Sequence, residues 1–464
     1  MPEDCSSRPV NAGRERETCR EAEMIRLASR VCATPARGLL ALRALSTSTS
    51  TATTTAAAQS GGETGVFGSR LFRLGLGFGV GLGLAVTAVG LEDGYTYATV
   101  SKLSVPLLHL LEPETSHNIV VTLAKFGLVA RDYTAYSPSL RTEVWGRSFK
   151  NPIGLAAGFD KNAEAMDAML GIGFGFVEVG SITPEPQDGN ARPRVFRIPE
   201  ESAVINRIGC NSHGSVVVSE RIQKFREDSG SGSSGLLGIN IAKNRTSENA
   251  AGDYARACKL LADKADYVVI NVSSPNTPGL RSLQAGRELA KIVSRTKQAL
   301  SEAAPGVPLV VKIAPDLGPA DKKQIARVVL RHGVDGMIVS NTTVSRPEPV
   351  ASHPLGGEKG GLSGKPVREA STALIREMYE LTGGRVPIVG CGGVSSGLDA
   401  YEKIRAGASL VQLYTGLIYQ GPVLVPRIKT ELAQLLARDG FESVEEAVGA
   451  DTRVKKGAGF LKFW

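Results

Sequence analysis

From about residue 136 to about 420 one pattern recurs: a short apolar run, a polar or glycine-rich turn, then apolar positions at helical spacing. The apolar runs occupy 152–160, 174–183, 236–244, 265–276, 308–316, 335–343, 386–393 and 409–416. Several read as continuous Val, Ile and Leu instead of alternating with polar residues, which indicates parallel strands buried on both faces. Eight strands alternating with helices predict an α/β fold, a (β/α)8 TIM barrel. Two connections are longer than a barrel needs. Residues 181–212 predict a hairpin laid over the barrel mouth, and the Gly- and Pro-rich stretch 342–365 predicts a lid. The Gly230–Gly235 run of glycine and serine reads as a flexible spacer.

Ahead of the barrel the pattern changes. Residues 94–130 carry apolar positions at helical spacing, interrupted at Pro106 and again at Glu112-Pro113. They predict two short amphipathic helices, placed either on a bilayer surface or as a cap on the next domain. Before them, Leu74 to Leu91 is 18 residues without charge or strong polarity, closed by Glu92 and Asp93. That is the length of a single membrane anchor, although its glycines weaken it as a helix and a Gly-rich linker is the alternative. From Met24 the chain has Arg26, Arg30, Arg37 and Arg43, abundant Ser and Thr, and no acid before Glu63. This is the pattern of a mitochondrial transit leader, whose helix must be cationic and amphipathic. Residues 1–23 break it with six acids, so Met24 is the expected functional start.

The expected organisation is a leader over 1–68, an anchor over 69–92, a helical region over 93–130, the catalytic barrel over 131–450 and a tail over 451–464. The fold class is thus a TIM barrel with an N-terminal helical extension and a single membrane anchor.

Composition narrows the function. Net charge is +8, of which +5 sits in residues 24–73, so the barrel lacks the clustered positive charge of a nucleic-acid surface. Six scattered cysteines without a CxxC pair argue against a disulfide framework or a metal site. The strand ends read AAGFDK, GSIT, NIAKN, NVSSPN, KIAP, SNTT, GCGG and YTG, rich in amides, hydroxyls and glycines. In a TIM barrel the active site gathers at those ends. Polar turns alone explain Asp and Gly there, but not Lys161, Lys243 and Lys312 or Asn240, Asn271 and Asn341. Such a ring of neutral hydrogen-bonding groups with lysines suits an anionic, planar ligand. Gly364, Gly392 and Gly393 suit a phosphate cradle, because bare backbone N–H groups approach an anion best without a Cβ. A flavin mononucleotide enzyme fits this set, and a Schiff-base aldolase using Lys312 or Lys161 is the competitor.

The segments AAGFDKNAEA (156–165), GSITPEPQDGNARPRVFRIPE (180–200), INRIGCNSHG (205–214), NVSSPNTPGLRSLQ (271–284), VKIAPDL (311–317), SNTTVSRP (340–347), GGLSGKP (360–366) and CGGVSSGLDAYEKIRAGASLVQLYTGLIYQGP (391–422) together resemble dihydroorotate dehydrogenase. The closer likeness is to the membrane-bound, quinone-reducing class of mitochondria, over about residues 94 to 450. The resemblance implies oxidation of dihydroorotate to orotate in pyrimidine synthesis, with FMN taking the hydride and ubiquinone reoxidising it. It implies that Ser274 removes the C5 proton, with Thr277 sharing the relay; a cysteine in place of Ser274 would mark the soluble class.

It further implies that Lys161, Asn206, Arg207, Ile208, Gly209, Cys210, Asn271, Asn276, Asn341 and Thr342 surround the substrate. For FMN it implies Ala156, Ala157, Gly158, Ser181, Asn240, Asn271, Lys312, Ser340, Ser363, Gly364, Gly392, Gly393, Tyr414 and Thr415, and for the quinone tunnel His117, Arg197 and Tyr414. The implied setting is the mitochondrial inner membrane, its lipid a partner, with the barrel facing the intermembrane space. A monomer is expected.

Ile208-Gly209-Cys210 departs from the family's aromatic-Gly-Phe, and the missing phenylalanine would normally shield the base. Ser340 stands for a usual threonine, Ala242 for a glycine, and Cys391 for a small apolar residue. Two other readings compete: another FMN barrel oxidoreductase, such as a dihydropyrimidine-type reductase, and a membrane-tethered flavoprotein whose chemistry has lapsed.

Overall fold

The computed structural model describes residues 94–453 except Ala130 and Ser234. The leader, the anchor and the end of the tail lie outside the described residues. Among those described, no helix is long and apolar enough to cross a membrane.

Two helices come first, α1 (Gly94–His109) and α2 (Pro113–Lys125). The sequence suggested a break at Pro106, yet α1 runs through it and ends three residues later. The break falls only at Glu112, whose carboxylate accepts the N–H groups of Glu114 and Thr115 and so caps α2, with Pro113 in its first turn. A proline there gives up only a donor that has no helical partner anyway.

Among the described residues thirteen strands follow: β1 (Thr142–Val144), β2 (Arg147–Phe149), β3 (Ile153–Leu155), β4 (Phe176–Ile182), β5 (Val195–Ile198), β6 (Ala203–Asn206), β7 (Leu236–Ile241), β8 (Tyr267–Asn271), β9 (Leu309–Ile313), β10 (Gly336–Val339), β11 (Gly361–Gly364), β12 (Ile388–Cys391) and β13 (Ala408–Leu413). Eight close a barrel in the order β3-β4-β7-β8-β9-β10-β12-β13, and each of the eight apolar runs supplies one of them. All barrel pairings are parallel, with β13 returning to β3. The closed order leaves no sheet edge, and the helices that connect the strands bury its outer face.

The barrel is filled, not hollow. Phe176, Tyr267, Val269, Val310, Ile338 and Leu410 pack inside it together with Val144 and Phe149 of the β1–β2 hairpin. Glycine makes room for the rings: a Cβ on Gly154 would lie 2.3 Å from the Phe176 ring, and one on Gly238 2.1 Å from that of Tyr267. Above this apolar floor sits a carboxylate, Glu178, fully buried and held by Asn240 Nδ2 at 2.8 Å, Gln412 Nε2 at 2.6 Å and the Tyr267 hydroxyl at 3.3 Å.

The hairpin expected over 181–212 is β5–β6, antiparallel in register from Val195↔Asn206 to Ile198↔Ala203. The stretch expected to be a lid instead adds β11 to that hairpin, pairing Gly361↔Asn206 through Gly364↔Ala203. Arg346 fastens the rest of it, donating to the carbonyls of Thr343, Val344, Ser345, Gly356, Glu358 and Gly360. The glycine–serine run is not a spacer either, because the helix Ser215–Ser233 extends into it.

Buried charge docks α2 onto the hairpin. Glu114, 8% exposed, meets Arg194 at 2.6 Å and Arg192 at 3.0 Å. Burial alone would raise the Glu114 carboxyl, but the Arg194 hydrogen bonds and the charges of Arg194 and Arg192 hold it below its ordinary range. Arg197 of β5 donates to the carbonyls of Leu108, His109 and Leu111, satisfying the C-terminal end of α1. Glu114→Ala leaves Arg194 buried without its anion, which costs about 3 kcal/mol. It should lower the thermal midpoint of the purified chain by about 5 °C, as read by calorimetry.

Candidate active site

A cavity of about 580 Å³ opens on the carboxyl ends of the barrel strands and reaches the inner faces of α1 and α2. Its outer part is apolar, lined by Val105, Leu108, Val120, Val121 and Leu128, while its inner end is lined by Lys161, Asn206, Asn271, Asn276, Lys312 and Asn341. Between the two stand His117, Phe159 and Tyr414, with ring centroids 5.3 Å (His117–Phe159) and 5.7 Å (Phe159–Tyr414) apart. The His117 imidazole is pushed down to about 4 by burial and by the Lys161 charge. It is therefore neutral at physiological pH and compatible with an apolar occupant.

The amides at the inner end are oriented by one another. Asn271 Nδ2 donates to Ser181 Oγ at 2.7 Å, and the Ser181 hydroxyl donates in turn to Asn240 Oδ1, whose amide nitrogen holds Glu178. The buried carboxylate thus fixes which way Asn240 and Asn271 face. Asn271 Oδ1 accepts from the Ser273 N–H at 3.1 Å and from Asn341 Nδ2 at 3.3 Å, and Asn341 Oδ1 accepts from the Thr342 N–H at 2.8 Å. Asn276 Nδ2 donates to Asn206 Oδ1 at 3.0 Å, joining the loop after β8 to the end of β6.

Lys161 donates to Asn211 Oδ1 at 2.7 Å, and its ammonium is pushed down to about 8 by burial and by the nearby Arg194 charge. Lys312 is 5% exposed and lines the cavity without a hydrogen-bond or ion-pair partner among the described residues. Thr342 Oγ1 lies buried on the same wall, also without a hydrogen-bond partner. A cation and a hydroxyl left open toward one cavity are donors awaiting a polar ligand.

The loop bearing Ser274 is clamped by Arg281, which donates to Ser273 O at 3.1 Å, Thr342 O at 2.7 Å and Asp316 at 2.7 Å. Ser274 lines the cavity and its Oγ accepts the Asn276 N–H at 3.3 Å. Thr277 lines a second cavity of about 420 Å³, and Gly209, Cys210 and Asn276 line both. Thr277 Oγ1 donates to Cys210 Sγ at 3.5 Å, and burial raises that thiol.

Gly364, Gly392 and Gly393 line the cavity with φ of +99°, +124° and +72°. A Cβ on Gly393 would come within 2.6 Å of Arg368 Cα. Their peptides face the start of the helix Arg368–Thr382, whose N-cap Val367 also lines the cavity and has no side-chain cap. This is the chemistry of an anion site: unhindered N–H groups beside an uncapped helix N-terminus. Gly393→Ala forces both the strained φ and the clash, and is expected to weaken the binding of a phosphate-bearing ligand at this wall at least about tenfold, as read by titration of the purified chain.

Of the residues singled out from the sequence, Ala156, Ala157, Gly158, Ser181, Ile208, Ser340, Ser363, Thr415 and Arg197 also line the cavity. Three do not. Asn240 stands behind Ser181. Thr277 is beyond Cys210, and Arg207 turns outward to Glu358 and over the Phe196 ring. Lys243, a strand-end lysine, also turns away, donating to Asn244 O at 3.1 Å and Ser247 O at 3.0 Å. Sequence reasoning missed Glu178, Asn211 and Arg281. A lone carboxylate within the otherwise apolar FVEVG strand was the readable signal for the first.

The family model described as dihydroorotate dehydrogenase matches residues 139–436. The chain is 54% identical over 369 residues to the mitochondrial dihydroorotate dehydrogenase (quinone) of Oryza sativa subsp. japonica, covering 75% of this chain and 79% of that protein. With the mitochondrial dihydroorotate dehydrogenase (quinone) of Mus musculus it shares 52% identity, covering 79% and 93%. The crystal structure of the Eimeria tenella DHODH in complex with ferulenol superposes with a TM-score of 0.71 at 43% identity, covering 74% of this chain and 96% of that one. With a closed parallel barrel whose strand ends carry one amide-rich cavity, the chain belongs to the dihydroorotate dehydrogenase family, in its quinone-linked class.

Proposed function

We propose that this protein oxidises dihydroorotate to orotate in pyrimidine biosynthesis and passes the electrons to ubiquinone. The observation that carries the reading is one cavity with two chemistries: an apolar arm under α1 and α2, and a donor-rich end over the barrel. One suits a lipid-soluble acceptor and the other a planar anion.

The residues present fit FMN. Gly364, Gly392 and Gly393 offer the phosphate cradle, Lys312 an unpartnered buried ammonium for the electron-rich ring, and Ala156–Gly158, Ser181, Asn271, Ser340, Ser363, Tyr414 and Thr415 the remaining walls. When bound, the flavin supplies a hydride acceptor that can hand electrons on one or two at a time.

The chain's own residues do the rest. Lys161 holds the substrate carboxylate, and Asn206, Asn271, Asn276, Asn341 and Thr342 read the ring's carbonyl and N–H edges. Ser274 takes the proton from C5. A serine is a weak base, so the proton must move on at once, and Thr277 lies beyond Cys210 on the side of the second cavity. His117, Arg197 and Tyr414 line the approach of the quinone.

The protein is mitochondrial on this reading, like its named relatives in rice and mouse. The acid-free stretch 24–62 and the uncharged stretch 74–91 support import and a single-pass anchor in the inner membrane, with the barrel in the intermembrane space and bilayer lipid against α1 and α2. Exposed Leu103 on α1, with exposed Leu110 and Phe126 just past the ends of α1 and α2, supports that lipid contact. The protein acts as a monomer.

The test is spectroscopic. Anaerobic dihydroorotate should bleach the flavin of the purified chain, and a ubiquinone analogue should restore it. A bound flavin that dihydroorotate leaves unbleached would overturn the reading in favour of a lapsed flavoprotein, and Cys210→Phe would then test whether the missing aromatic is the cause.

A further inference from the structure

Lys403 is fully buried, and no acidic side chain bonds it. Its Nζ donates to Ser371 Oγ at 3.1 Å, to Thr372 Oγ1 at 3.0 Å and more distantly to Arg368 O at 3.4 Å. The nearest acids are otherwise engaged or remote: Asp399 is bound by Arg368 at 3.0 Å and by Ser395, and Glu402 acts only through its field. Burial is the main cause that pushes the ammonium down to about 8. A methionine would fill the same space without that cost, so packing does not account for the lysine.

What lies on the far side of its partners does. The Ser371 hydroxyl donates to Cys391 O at 2.6 Å, and the same carbonyl accepts the Ser340 N–H at 2.8 Å. That carbonyl belongs to the peptide whose N–H is Gly392, the first residue of the glycine pair in the cavity wall. A Cβ on Gly392 would sit 3.0 Å from Ser371 Cβ, so the serine backs directly on the cradle. The helix Arg368–Thr382, from which Ser371 and Thr372 project, also starts there without a side-chain cap.

We infer that Lys403 is the buried counter-charge of the cofactor's phosphate, acting through Ser371 and the Cys391–Gly392 peptide. It is a positioning residue that touches neither substrate nor phosphate. Its ammonium orients the Ser371 hydroxyl toward Cys391 O, two donors polarise that carbonyl, and the Gly392 N–H on the other end of the peptide becomes the stronger anion donor. A cation buried with neutral acceptors is stabilised once a dianion settles on the opposite side of one peptide, which also explains its retention.

This inference rests on the FMN reading, and the test separates the two. The full-length chain is stripped of flavin and titrated with FMN and with riboflavin, which lacks the phosphate. Lys403→Met should weaken FMN binding about tenfold or more and leave riboflavin binding unchanged, because only the phosphate feels the charge. Ser371→Ala should shift the FMN-to-riboflavin affinity ratio the same way by a smaller factor, and it decides the matter if Lys403→Met does not fold. An unchanged ratio in both variants, or an equal loss for both flavins, overturns the inference and leaves the cofactor assignment standing. A wild-type chain that binds neither flavin overturns both.

Discussion

Ser274→Ala is expected to slow the bleaching of bound flavin by dihydroorotate by about a hundredfold to ten-thousandfold, the usual worth of a positioned general base. The affinity for orotate should change less than about threefold, because the binding contacts lie elsewhere. Asn276 stays tied to Asn206, Asn341 stays tied to Asn271 and Ser273, and Arg281 still clamps the loop through Ser273 O and Thr342 O. Anaerobic stopped-flow measurement of the reductive half-reaction, with orotate binding read from the flavin spectrum, gives both numbers. A rate loss under tenfold would remove Ser274 as the base. A parallel loss of orotate affinity would show that the loop had moved instead.

Lys161→Met should raise the KM for dihydroorotate about a hundredfold, the worth of about 3 kcal/mol for one charged hydrogen bond to a buried anion. The pH profile carries the sharper signature. Burial depresses the Lys161 ammonium to about 8, so the free enzyme carries the charge below that pH and loses it above. Carboxylate binding favours the charged form and draws its pKa back up, so the complex keeps the proton to higher pH. It follows that kcat/KM should fall as pH rises through about 8 while kcat does not. The variant, with no group to titrate, should lose that alkaline limb along with most of its affinity. A wild-type profile flat from pH 7 to about 10 would contradict the assignment.

Much of this architecture is written locally. Continuous Val/Ile/Leu runs of strand length, spaced by helical segments, specify parallel strands buried on both faces, and all eight became barrel strands. Glycines at the ends of β11 and β12 mark where backbone must adopt positive φ, and they lie together at one wall of the cavity. Strand-end Lys161, Asn271, Lys312 and Asn341 were legible because the carboxyl ends of the barrel strands open on the cavity.

What local sequence could not carry is partnership between distant segments. Arg207 and Lys243 look like site residues by position, yet Glu358, 151 residues away, draws one outward and nearby carbonyls fold the other back. The stretch 342–365 reads as a free lid until β11 meets β6, whose unsatisfied edge takes it up as a third strand. Ser274 and Thr277 are three apart in sequence but line different cavities, Thr277 turning to the Cys210 thiol of another segment. Glu114 and Lys403 look like ordinary helical charges, and only packing shows that one meets Arg194 beside the β5–β6 hairpin and the other bonds Ser371 behind Gly392. The sequence by itself determined the barrel, the end of it that bears the chemistry and the residue types available there. Tertiary structure decided which of those residues meet, since hydrogen bonds and ion pairs between segments depend on distances that periodicity and spacing do not encode.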